Sequence, residues 1–129
     1  MKESVIQASI VAYLKTIKLG YVLNVSTTGI FDPIKKQFRT NKNQKGTSDI
    51  LFFNRGKCTA IEVKTAIEYK FVMKHYERLK NISLCKTSRD KHLHDQILFI
   101  EGLKRSGNAG FFSFSIHDTK MKLMGIRND

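Results

Sequence analysis

Gly46-Thr47-Ser48-Asp49-Ile50-Leu51-Phe52-Phe53-Asn54-Arg55-Gly56-Lys57-Cys58-Thr59-Ala60-Ile61-Glu62-Val63-Lys64 decides the reading of this 129-residue chain. Residues 48–53 (SDILFF) and 58–64 (CTAIEVK) have the Ile, Val and Phe content of strands. Between them, Asn54-Arg55-Gly56-Lys57 is turn chemistry, with glycine supplying a backbone angle that other residues resist. The two runs therefore read as an antiparallel hairpin. A period of two sends Ile61 and Val63 to one face and Glu62 and Lys64 to the other. Pairing across the turn brings Ser48 or Asp49 nearly opposite Glu62 to Lys64.

A glutamate and a lysine in mid-strand, between apolar neighbours, are costly to bury unless they are paired or bind an ion. Two carboxylates and an ammonium at one end of a sheet make a divalent-cation site. Mg²⁺ takes one or two carboxylates, waters and phosphate oxygens. With a cation alongside, such a site suits phosphodiester hydrolysis: the metal polarises the phosphoryl group and activates water, and the lysine steadies developing charge. A solvated cross-strand ion pair is the usual meaning of a generic Glu-x-Lys. Here the hairpin, the upstream Ser-Asp-Ile and the charge of the whole chain favour chemistry.

That charge comes from 23 Lys and Arg against 11 Asp and Glu, a formal +12, which points to a polyanionic partner, most simply nucleic acid. A basic surface with no partner is the blander alternative. The segment 27–47 holds Lys35, Lys36, Arg39, Lys42 and Lys45 against the single acid Asp32; it reads as a mobile loop or as an arm gripping a phosphate backbone, and the charge of the chain favours the arm. Residues 68–80 read as an amphipathic helix carrying Lys70, Lys74, Arg78 and Lys80.

Outward from the hairpin, Ile6, Ile10, Leu14 and Ile17 predict a helix over 3–19, stopped at Gly20. Glu3 falls on its apolar stripe, near Ile10 and Leu14, though taken alone a favourable charge at a helix N-terminus is the better explanation. A short strand follows at 21–26. Ser88 is expected to cap a long helix with Leu93, Ile97, Ile100 and Leu103 on one stripe, ended by Gly107. Residues 110–116 (GFFSFSI) predict a half-buried strand, laid beside the hairpin by the crossover, and 121–124 a last short strand. The fold class is α/β, a small mixed sheet flanked by helices in one domain.

No apolar run is long enough for a membrane span, and the N-terminus lacks the apolar stretch of a secretory signal. Two cysteines, Cys58 and Cys85, suggest a reducing cytoplasm, not a disulfide scaffold. His75, His92, His94 and His117 show no zinc-ligand spacing and read as solvated surface residues. Phe111, Phe112 and Phe114 read as core, and no phosphate-cradling glycine loop is present.

Gly46-Thr47-Ser48-Asp49-Ile50 and Ile61-Glu62-Val63-Lys64 together resemble the G-x-[SP]-D-[IL] and E-V-K blocks of the PD-(D/E)xK nucleases. The nearest resemblance is to stand-alone VRR-NUC domains of phages and mobile elements, and it runs over nearly all of residues 1–129. It implies a restriction-endonuclease-like core, with Asp49 and Glu62 as metal ligands and Lys64 as the catalytic cation. Glu3 would act near the metal, directly or through water, and Gln96 would support the site. The cofactor implied is Mg²⁺, with Mn²⁺ able to substitute. The activity implied is a DNA endonuclease acting on branched duplexes such as Holliday junctions, in the cytoplasm of an infected host cell or at the nucleoid. One small site cutting two strands calls for a homodimer. The interval from Lys64 to Gln96 is longer than in compact members, so the basic helix around 66–86 reads either as a DNA-contacting insertion or as part of a dimer interface. A non-catalytic nucleic-acid-binding accessory protein on the same fold is the alternative.

Overall fold

The computed structural model describes residues 1–25, 30–32, 37–39 and 46–127. In chain order these form α1 (Glu3–Ile17), β1 (Tyr21–Asn24), β2 (Ile30–Asp32), β3 (Gln37–Arg39), β4 (Ile50–Asn54), β5 (Lys57–Val63), α2 (Ala66–Lys74), α3 (Tyr76–Leu79), a 3₁₀ turn (Ile82–Leu84), α4 (Ser88–Arg105), β6 (Ala109–Ser113) and α5 (Ile116–Arg127). The main sheet has the order β1-β4-β5-β6, and β2 and β3 make a separate antiparallel pair. In the main sheet, β1 with β4 and β4 with β5 are antiparallel, whereas β5 and β6 run parallel. Mixed pairing follows from the connections: a tight turn joins β4 to β5, while three helices separate β5 from β6.

The hairpin turn is tighter than its sequence suggests. Asn54 and Lys57 pair with each other, so only Arg55 and Gly56 form the loop, and both have positive φ (53° and 77°). This suits a primed turn, whose twist matches that of the flanking strands, and Arg55 bears the strain that glycine avoids.

Helices cover both faces of the sheet. Ile6, Ile10, Val11 and Leu14 of α1 and Leu123 of α5 pack on Ile50, Phe52, Ile61 and Val63. On the other face Val72, Leu79, Leu93, Ile97 and Ile100 pack with Phe112. Each fully buried Ile, Leu or Val contributes about 1.5–3 kcal/mol by leaving water. β5 lies between both layers and is buried from Thr59 to Val63, as expected of a strand with a parallel neighbour.

Several expectations are corrected. Residues 121–124 are helical, inside α5, not a strand. The Asp118 N–H donates to Ser115 Oγ at 3.0 Å, which starts a helix in a Ser-x-x-Asp cap and shortens β6 to end at Ser113. Thr119 and Leu123, one turn apart, then face the core. β6 is not half-buried: Phe111 packs with the α1 layer and Phe112 with the α4 layer. Thr87, not Ser88, caps α4, its Oγ1 accepting from the Asp90 N–H at 3.0 Å. The 68–80 helix is divided at His75, whose ψ of 17° departs from helical geometry. His94 is buried, with its Nδ1–H donating to the Leu79 carbonyl at 2.7 Å. Both cysteines are free thiols. Among the described residues no helix is long and apolar enough to cross a membrane.

Candidate active site

The register of the hairpin builds the site. Ile50 pairs with Ile61, so Asp49, one residue before β4, falls beside Glu62 and Val63. Asp49 is held at two points. Its Oδ2 accepts from the Val63 N–H at 2.9 Å, and its main-chain carbonyl accepts from the Val25 N–H at 2.9 Å. Upstream, Gly46 has a φ of +81°, and a β-carbon there would meet the Asp95 carbonyl of α4 at 2.3 Å. Only glycine lets the chain pass so close to α4 and then enter β4.

Glu62 is 1% exposed and hydrogen-bonds through its carboxyl to Asp49. Burial, then the hydrogen bond with Asp49 and the negative charge of Asp49, push its pKa well above the carboxylate range, with Lys64 opposing. Lys64, at 5% exposure, continues from β5, its N–H donating to the Ser113 carbonyl at 2.9 Å. Its Nζ lies 3.9 Å from Glu68 Oε2 in the first turn of α2. Glu3, in the first turn of α1, is pushed up by burial, drawn down by Lys64 and pushed up by Asp49 and Glu68. The expected residues Glu3, Asp49, Glu62 and Lys64 thus share one electrostatic neighbourhood.

Gln96 is buried on α4, directly after Asp95, whose carbonyl faces Gly46. Its Nε2 lies 3.1 Å from His92 Nε2. Among the described residues, the buried side-chain atoms without a partner are Ser48 Oγ, Glu62 Oε1 and Gln96 Oε1. All three belong to the motif residues, and a buried polar atom left unpaired costs about 1–3 kcal/mol. An unpartnered carboxyl oxygen beside a second carboxyl group is what a hard cation would use. The residues fit Mg²⁺ on that ground. Among the described residues, no three His, Cys, Asp or Glu side chains are gathered as a ready ligand cluster. Asp49 and Glu62 would be the residues to hold such an ion, which would complete its shell with water and phosphate oxygens.

Lys70 and Lys74 are exposed, one turn apart on α2, whose Val72 is buried. Lys35, Lys36, Lys42 and Lys45 lie outside the described residues; Arg39 ends β3, and its side chain is not among those described. Two participants escaped the sequence reading. Glu68 could have been found from its place four residues after Lys64 and three after the capping Thr65, which accepts from its N–H at 3.3 Å. His92 was set aside with the other histidines, although Gln96 stands one turn away on the same helix.

No family model matches the chain, and comparison with curated proteins and with solved structures finds no significant match.

Proposed function

We propose that this chain is a Mg²⁺-dependent DNA endonuclease of the VRR-NUC type, built on a PD-(D/E)xK core and acting on branched duplexes. The observation that carries this reading is the buried Asp49–Glu62 carboxyl pair, with an unpartnered Glu62 Oε1 and the buried ammonium-bearing side chain of Lys64 in the next turn of chain. Asp49 and Glu62 would hold the cation, which Mn²⁺ could replace, with Glu3 assisting directly or through water. When bound, the cation polarises a phosphoryl oxygen and lowers the pKa of water. Lys64 stabilises the charge that develops on the phosphate, and its link to Glu68 keeps the ammonium at the mouth of the site. Lys70 and Lys74, with the basic 35–45 segment, supply phosphate contacts that position the duplex. In this reading the protein works as a homodimer, one site per strand, within an infected or nucleoid-bearing cytoplasm.

The test is incubation of labelled linear duplex, flap and four-way junction with the protein in Mg²⁺, Mn²⁺ or excess chelator. Cutting of the branched substrates in either ion is expected, with none in chelator and none by Asp49→Asn. Binding without cutting in either ion would make the chain an accessory DNA-binding protein. Sedimentation on junction DNA is expected to show a dimer.

A further inference from the structure

We infer that His92 is a positioning residue of this site, holding the Gln96 amide so that its oxygen, not its nitrogen, occupies the buried end. What that oxygen does rests on the nuclease reading above; the pairing itself rests on geometry alone.

Positions 92 and 96 are one turn apart on α4, the spacing at which helical side chains meet. The Gln96 Nε2 to His92 Nε2 distance is 3.1 Å. An amide nitrogen only donates, so His92 Nε2 accepts, and the neutral ring carries its proton on Nδ1. Gln96 is 6% exposed whereas His92 lies at the surface, so the amide is clamped from its solvent end. Its other end, Oε1, is buried and without a partner.

Three relationships bring this stretch of α4 against the strands that carry the carboxyl pair. Asp95, the preceding residue, presents its carbonyl to Gly46, three residues before Asp49. Ile97, the following residue, packs with Phe112. Phe112 in turn stands opposite Glu62 in the β5–β6 register. A glutamine can present either end of its amide to such a site, and the two ends do opposite things. An inward NH₂ would donate to the carboxylates and compete with a cation. An inward oxygen only accepts, which leaves the carboxylates free. The structure has the second arrangement, with the amide nitrogen turned to His92, and a His92 ring protonated on Nδ1 is what would hold it there. His94, two residues on, is committed elsewhere by its bond to the Leu79 carbonyl.

The experiment uses the whole ¹⁵N-labelled chain, free of metal and DNA. In the parent, His92 Nε2 should have the nitrogen shift of an unprotonated acceptor, and the Gln96 NH₂ protons should be widely separated. In His92→Ala the Gln96 signals should collapse toward those of a free amide while the His94 ring signals stay unchanged. On junction DNA with Mg²⁺, His92→Ala should lower kcat about tenfold with KM unmoved, as loss of an orienting partner commonly does. Gln96→Ala should match it, the double variant should be no worse, and His92→Gln, which keeps an acceptor, should recover most of kcat. A protonated His92 Nε2, an unaltered Gln96 amide in His92→Ala, or additive losses in the double variant would each overturn the inference. A parent that shows the pairing but cuts no DNA overturns the nuclease reading, and with it the role assigned to His92. A parent that cuts DNA without the pairing overturns the inference alone.

Discussion

The carboxylate of Asp49 accepts the main-chain N–H of Val63 at 2.9 Å, fourteen residues away along the chain. One oxygen of the proposed ligand therefore joins the entry of β4 to the exit of β5, and the same side chain hydrogen-bonds to Glu62. Its structural and chemical roles can be separated by choice of substitution. Asp49→Asn keeps an oxygen for Val63 and should unfold in urea close to the parent, yet lose cleavage. Asp49→Ala leaves a buried N–H unpaired and should lose about 1–3 kcal/mol as well.

Glu62 and Ser48 both bury an unpartnered oxygen, and relieving either should stabilise the protein with different functional consequences. Glu62→Gln supplies an NH₂ donor to Asp49 and no longer asks a carboxyl group to sit out of water. It should gain about 0.5–2 kcal/mol while cleavage disappears, the trade expected where stability has been given up for a site. Ser48→Ala removes a hydroxyl that bonds nothing and should gain up to about 1 kcal/mol. Its cleavage should remain near the parent rate. Thermal melting and single-turnover cutting of both variants check the contrast.

Phosphate contact should appear as salt dependence. Engaging about 6–10 phosphates loses on the order of 10³–10⁵ in affinity between 50 and 200 mM salt. Lys70→Ala with Lys74→Ala should flatten the plot of log affinity against log salt by about two units. Replacing Lys35, Lys36 and Arg39 by Ala should flatten it further, equally for every DNA sequence. An unchanged slope would remove that segment from the binding surface.

Two acids away from the site contribute stability that is lost in acid. Asp90 is held below its usual range by the hydrogen bond from Arg78 at 2.7 Å, and Glu101 by the Tyr76 hydroxyl at 2.5 Å. Lowered pKa values mean that the unfolded chain binds more protons, so both contributions are present above the ordinary carboxylate range and vanish as pH falls through the folded-state values. Tyr76→Phe should therefore make urea stability less steep between neutral and acid pH, with the largest loss at neutral pH. Equal losses at pH 7 and below pH 3 would contradict this account.

The hairpin and the gathering of its charged residues were legible because both depend on neighbours in sequence. Alternation separates Ile61 and Val63 from Glu62 and Lys64, and a two-residue turn transmits that alternation to Asp49. The C-terminal helix was not legible from hydropathy, since Met121–Met124 fits a strand as well as a helix. The deciding signal was the Ser115–Asp118 cap, a local bond that outweighs a short apolar run. Burial of His94 was hidden for a different reason: its partner, the Leu79 carbonyl, lies fifteen residues away on another helix. The same holds for Lys122, whose Nζ bonds Tyr69 Oη at 2.7 Å across 53 residues. Adjacent hydroxyls at Thr87 and Ser88 offered two caps, and only the geometry of the first turn chooses between them.

The glycine at position 46 separates ancestry from activity. Its left-handed backbone and its closeness to the Asp95 carbonyl are demanded by the chain path, whatever the carboxyl groups do. If the chain is a nuclease as proposed, descendants that abandon catalysis could exchange Glu62, whereas Asp49 still holds the Val63 N–H and position 46 still cannot take a side chain without moving α4. A homologue with Gly46 and no Glu62 would then mark a retired enzyme that kept its scaffold. One lacking both would mark a lineage in which the approach to the hairpin has been rebuilt.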